Sequence, residues 1–103
     1  MPTQEIEAIK QKLIDEVKPL RIYLFGSYAE GRQREDSDFD FYLLVDDNAG
    51  RIVDITANAY SAIRSVRQHP VDIVVGTVSR FEQRKTWPTL EKEVFKKGVL
   101  LYG

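Results

Sequence analysis

The chain contains no cysteine, a single histidine and a single tryptophan. Without cysteine it builds neither a disulfide framework nor a thiolate metal site, which is compatible with the cytosol. The lack of clustered histidine argues against zinc and for a cation held by oxygen. No run approaches the ~18 apolar residues of a membrane-spanning helix, so no membrane association is expected, and the N-terminus lacks a signal-peptide core. An excess of one charge is missing too: 15 Lys and Arg stand against 16 Asp and Glu, leaving a net −1. That balance gives no general attraction to nucleic acid or acidic lipid, so strong autonomous nucleic-acid binding is not expected. Repeats, low-complexity tracts and linkers are also absent. What is present, 103 residues of 43% hydrophobic and 30% charged composition, reads as one soluble domain spanning 1–103, expected in the cytoplasm.

The informative stretch runs from Ile22 to Val45, IYLFGSYAEGRQREDSDFDFYLLV. Two apolar runs, Ile22 to Phe25 and Phe39 to Val45, read as strands bracketing a polar segment. Gly26 ends the first and lets the backbone approach a ligand closely, because it has no Cβ. Ser27 adds a hydroxyl at the start of a short helix, where free N–H groups favour anions. Asp38 and Asp40 open the second strand. Residues two apart leave a strand on one face, roughly 6–7 Å apart at the backbone, a spacing suited to oxygen ligands for hard cations.

Around this stretch the spacing predicts a helix over Thr3 to Lys18, with Ile6, Ile9, Leu13, Ile14 and Val17 inward, Thr3 as N-cap and Pro19 as its stop. Phe39, Phe41, Leu43 and Val45 share one strand face; Asp38, Asp40, Tyr42 and Leu44 share the other. Asp46 to Gly50 is a solvated turn. Arg51 to Arg67 reads as a helix with Ile52, Ile55, Ala59, Ile63 and Val66 buried. Val71 to Thr77 is a third strand, apolar but for Asp72, whose burial needs pairing or coordination. A capping box at Ser79 to Glu82 starts another helix. Thr89 caps a further one, with Leu90, Val94 and Phe95 inward and Gly98 at its end; Val99 to Tyr102 is a last strand. His69 is expected in a surface turn, Tyr28, Tyr60 and Trp87 in core or rim, and Arg80, Arg84 and Lys85 on a solvated face.

Three carboxylates on strands beside a Gly-Ser cradle fit metal-assisted phosphoryl or nucleotidyl transfer, in which two Mg²⁺ ions about 3.5–4 Å apart clamp the attacking and leaving oxygens. In that chemistry Asp38 and Asp40 bind both metals. Asp72 binds the catalytic one and orients or deprotonates the incoming hydroxyl, and Gly26 and Ser27 hold the phosphates.

Gly26-Ser27, ten intervening residues and Asp38-Phe39-Asp40 match the signature of the polymerase-β-like nucleotidyltransferases. The whole stretch, the VDIVV strand with Asp72 and the closing GVLLYG resemble the minimal nucleotidyltransferase group, including the MntA-type antitoxins of HEPN/MNT toxin–antitoxin pairs. The resemblance implies an α/β fold, a mixed twisted four-stranded sheet flanked by helices, with two Mg²⁺ ions and ATP as substrate. It also implies a HEPN-domain toxin as partner, AMP being transferred to one of its tyrosines. Glu30 departs from the pattern, since many relatives carry Arg there; Arg32, with Arg34, supplies positive charge nearby and is the candidate for nucleotide binding. Two other functions compete: neutralisation of a partner by binding alone, and nucleotidyl transfer to a small molecule or RNA with a separate acceptor-binding subunit. The base chosen, the acceptor and the oligomeric state are not legible in the sequence.

Overall fold

Helix α1 (Thr3–Val17) forms because Ile6, Ile9 and Leu13 recur at helical spacing, and all three are buried. It starts one residue earlier than Thr3 as cap implies: Ile6 donates its N–H to the Pro2 carbonyl at 3.2 Å, so Pro2 holds the N-cap position. Lys18 closes it in the left-handed conformation (φ 56°), its N–H shared by the carbonyls of Leu13 and Ile14, and Pro19 follows. The computed structural model describes residues 2–103.

The sheet is built from β1 (Arg21–Phe25), β2 (Phe39–Val45), β3 (Val71–Thr77) and β4 (Val99–Tyr102), in the order β3-β2-β1-β4. β1 runs antiparallel to both β2 and β4, whereas β2 and β3 are parallel, joined through α3 (Ile52–Ile63). It is the mixed α/β sheet that the sequence leads one to expect.

Both faces of the sheet are covered, and the alternation along β2 assigns them. Phe39, Phe41, Leu43 and Val45 join Ile22, Leu24 and Ile73 in a core closed by Ile6, Ile9 and Leu13 of α1 and Ala59 and Ile63 of α3. Tyr42 and Leu44 join Tyr23 and Phe25 on the opposite face, beneath Phe81 of α4 (Val78–Arg84) and Val94 of α5 (Leu90–Lys97). Burial of these large side chains contributes roughly 1.5–3 kcal/mol each.

Several boundaries and burials differ from the pattern-based expectation. α3 ends at Ile63, and a turn through Val66 replaces its expected last helical turn; the N–H groups of Gln68 and His69 instead go to the carboxylate of Glu5. Ile52, in the first turn of α3, is 38% exposed and not part of the buried stripe. The cap of α4 is Thr77, whose hydroxyl accepts from the Arg80 N–H at 3.3 Å. Ser79 is therefore already helical, and its N–H and hydroxyl both donate to Asp47, which stands in the solvent-exposed turn expected there. Thr89 caps α5 as expected, accepting from the Lys92 N–H, but Phe95 is half exposed rather than inward.

Candidate active site

Gly26 leaves β1 with φ 74° and ψ −153°, a conformation that side chains rarely adopt, and a Cβ there would run into the carboxylate of Asp40. The glycine thus allows the turn after β1 to lie directly against the second strand. Ser27 is the first residue of the short helix α2 (Ser27–Glu30), which Gly31 closes at φ 71°.

Strand register brings the rest to the same end of the sheet. Asp40 stands opposite Phe25, the residue before Gly26, and on its other side opposite Asp72. Paired residues on neighbouring strands, about 4.8 Å apart, project to the same face, and Asp38 precedes the first rung on that face too. Asp40 is partly buried, whereas Asp38 and Asp72 are open to solvent. Burial, reinforced by the charges of Asp72, Asp38 and Glu93, pushes the Asp40 carboxyl up to about 6. Glu93, on α5, had no motif to announce it; only the packing of α5 over the sheet brings its charge to bear on Asp40. Stretches with Glu at a helix surface are too common for sequence to single it out.

Mutually repelling carboxylates of this kind fit a hard divalent cation, which would relieve the repulsion and take oxygen ligands. The three aspartates do not converge on a point: no group of three acidic, histidine or cysteine side chains among the described residues is close enough to hold an ion. The carboxylates also lie on an open face. Cavities of about 800 Å³ (beside Gly76, Arg80 and Glu91) and about 680 Å³ (beside Glu5 and His69) lie elsewhere, and neither is lined by Ser27, Asp38, Asp40 or Asp72.

Arg32 is 64% exposed and lies 3.3 Å from Glu30, which Lys97 of α5 also approaches at 3.9 Å. The arginine contact is not a well-directed hydrogen bond, leaving the buried Glu30 Oε2 without a donor. In the intervening loop the Arg34 N–H donates to the Ser37 hydroxyl and the Ser37 N–H to the Arg34 carbonyl. Tyr28 is buried edge-on against Phe39, the Tyr60 hydroxyl accepts the Ile73 N–H, and Trp87 is half exposed. His69 is not a free surface residue: its ring is stacked on Phe39 and bonded to Glu5. Arg80 and Arg84 are not simply solvated, since both pair with the buried Glu91.

A Gly-Ser turn pressed against paired aspartates, on a mixed sheet with helices on both faces, defines a nucleotidyltransferase of the polymerase-β-like class. The chain belongs to the polymerase beta, nucleotidyltransferase family, whose model matches residues 7–103. It is similar to a protein of Methanocaldococcus jannaschii provisionally named a protein adenylyltransferase, with 27% identity over 97 residues, covering 94% of this chain and 90% of that one. Among solved structures it resembles a toxin–antitoxin with AMP-PNP, at TM-score 0.59 and 26% identity, over 100% of this chain and 74% of that one. A second similar structure is an aspartate-to-glutamate double mutant of the toxin–antitoxin MntA–HpeT, at TM-score 0.57 and 27% identity, over 96% of this chain and 73% of that one.

Proposed function

We propose that this chain is a Mg²⁺-dependent protein adenylyltransferase that transfers AMP from ATP to a tyrosine of a HEPN-type toxin, and so acts as its cytoplasmic antitoxin. The observation that carries this reading is the register that sets Gly26-Ser27, Asp40 and Asp72 at the same end of the sheet. The named relative and the toxin–antitoxin neighbours support the acceptor class. The reading takes the chain as one domain, 1–103.

In this scheme Gly26, through its backbone, and the hydroxyl of Ser27 hold the β- and γ-phosphates, and Arg32 adds positive charge beside them. Asp38, Asp40 and Asp72 would hold two Mg²⁺ ions, which would supply Lewis-acid polarisation at the α-phosphate and charge neutralisation at the leaving group. The tyrosine hydroxyl oxygen attacks the α-phosphorus. Its proton passes to Asp72, the bond from α-phosphorus to the bridging oxygen breaks, and pyrophosphate leaves with that electron pair. An open site suits a protein acceptor, which supplies the missing wall.

Incubation with the partner toxin, ATP and Mg²⁺ should add the mass of AMP to one toxin tyrosine, read by mass spectrometry, and Asp38→Asn or Asp72→Asn should not. Modification by these variants would overturn the assigned roles. Neutralisation by binding alone draws on a different observation, the exposed apolar side chains Leu20, Phe95, Val99, Leu100 and Tyr102. Equal neutralisation by wild type and variants, without modification, selects that alternative.

A further inference from the structure

Glu5 lies on the first turn of α1, remote in sequence from every residue assigned above, yet its side chain is only 7% exposed. Its Oε2 accepts the backbone N–H groups of Gln68 at 2.6 Å and His69 at 2.7 Å, and its Oε1 lies 2.7 Å from His69 Nδ1. Burial pushes the carboxyl up, but these hydrogen bonds and the neighbouring imidazole outweigh it and hold the group below its usual range. The His69 ring is stacked on Phe39, centroids 4.7 Å apart and planes 29° off parallel. Tyr28 closes edge-on against both rings, at 4.7 Å from Phe39 and 6.3 Å from His69.

Each of these rings belongs to one functional segment. Tyr28 follows Ser27, Phe39 separates Asp38 from Asp40, and His69 lies just before the start of β3 and Asp72. Phe39 points into the core, so its two aspartate neighbours point to the opposite face. It is also the first rung of the parallel ladder, opposite Val71, and its N–H donates to the Pro70 carbonyl at 2.9 Å. Phe39 thus joins the ring stack to the backbone that carries both aspartates, and residues 68–70 lead directly into the strand that carries Asp72.

We infer that the Glu5–His69 pair is a positioning device for the site: beneath the sheet it fixes where Asp38 and Asp40 stand relative to Asp72. The inference rests on the metal-binding role proposed for those aspartates. Partners that orient metal ligands typically change metal affinity 10–100-fold when removed.

The test is calorimetric titration of the full chain with Mn²⁺ in the presence of ATP, alongside a melting curve for each variant. His69→Ala is expected to weaken Mn²⁺ binding about tenfold. His69→Phe, which returns a ring to Phe39 without the bond to Glu5, should recover part of that loss. Asp47→Ala, which removes the acceptor of Ser79 beyond the opposite end of β2, should lower the melting temperature and leave Mn²⁺ affinity unchanged. If His69→Ala does not fold, Glu5→Gln carries the comparison, with a smaller loss of the same sign. Wild-type Mn²⁺ affinity in the His69 and Glu5 variants overturns the positioning role alone, as does an equal loss in Asp47→Ala. A wild type that binds no Mn²⁺ with ATP overturns the proposed function, and this inference with it.

Discussion

At the scale of single residues, Asp40 concentrates the electrostatics of the site. Folded, it releases its proton at about 6, because burial and its acidic neighbours oppose the charged form; an unfolded chain releases it at roughly 3.9. Between those values the folded state binds more protons, so stability falls as pH rises through the window and the penalty is complete above it. Partial solvation screens the effect, which leaves it at about 1 kcal/mol at pH 7. Asp40→Asn should therefore melt higher than wild type in EDTA at pH 7, with the difference vanishing below pH ~4. The same variant should lose most of the stabilisation by Mg²⁺ and ATP. A variant that melts lower in EDTA yet gains as much from Mg²⁺ and ATP would make Asp40 a structural carboxylate.

At the scale of elements, α5 depends on a buried acid. Glu91 is 2% exposed. It accepts the Tyr42 hydroxyl at 2.9 Å and Arg84 Nε at 3.1 Å, with Arg80 Nε 3.5 Å away. Burial pushes its carboxyl up, but its own N–H, Arg84, Tyr42 and the charge of Arg80 together hold it below the ordinary range, while the Tyr42 phenol is pushed well up. With the folded value depressed, Glu91 contributes stability above the unfolded value of roughly 4.3, and that contribution is lost as pH falls through the folded one. Glu91→Ala leaves the Tyr42 hydroxyl buried without its acceptor and should cost about 2 kcal/mol by urea denaturation at pH 7. The loss should shrink in acid. An unchanged midpoint would mean that Tyr42 and the arginines find other partners.

At the scale of the whole molecule, the two faces of the sheet have different duties. One carries α1, α3 and the deeper core; the other carries α4, α5 and the acidic end of the strands. No helix among the described residues is long and apolar enough to cross a membrane. Because the acidic end is open, affinity for ATP should come mainly through metal bridging rather than enclosure. Mg²⁺ and ATP together at ~100 times their Kd should stabilise the native state by about 2.7 kcal/mol, roughly 10–20 °C for a domain of this size. ATP in EDTA should leave the melting temperature where it was. An equal rise in EDTA would mean that protein groups alone hold the triphosphate.

Much of this was legible in the sequence because it depends on neighbours along the chain. The bounds of β2, β3 and β4, the stripe of Ile6, Ile9 and Leu13 and the Thr89 cap follow from periodicity and capping chemistry. The spacing of Ser27, Asp38 and Asp40 was equally readable, since a strand and its flanking turn set the face of each side chain. Tertiary structure decided the register in which Asp38, Asp40 and Asp72 stand and which further acid joins them. Asp40 finds Asp72 through a parallel register that depends on how α3 packs, and Glu93 reaches the same field only because α5 lies over the sheet. Glu5 meets His69 across 64 residues and Tyr42 meets Glu91 across 49. Such pairs have no period in the sequence, because burial of both partners exists only once the chain has folded.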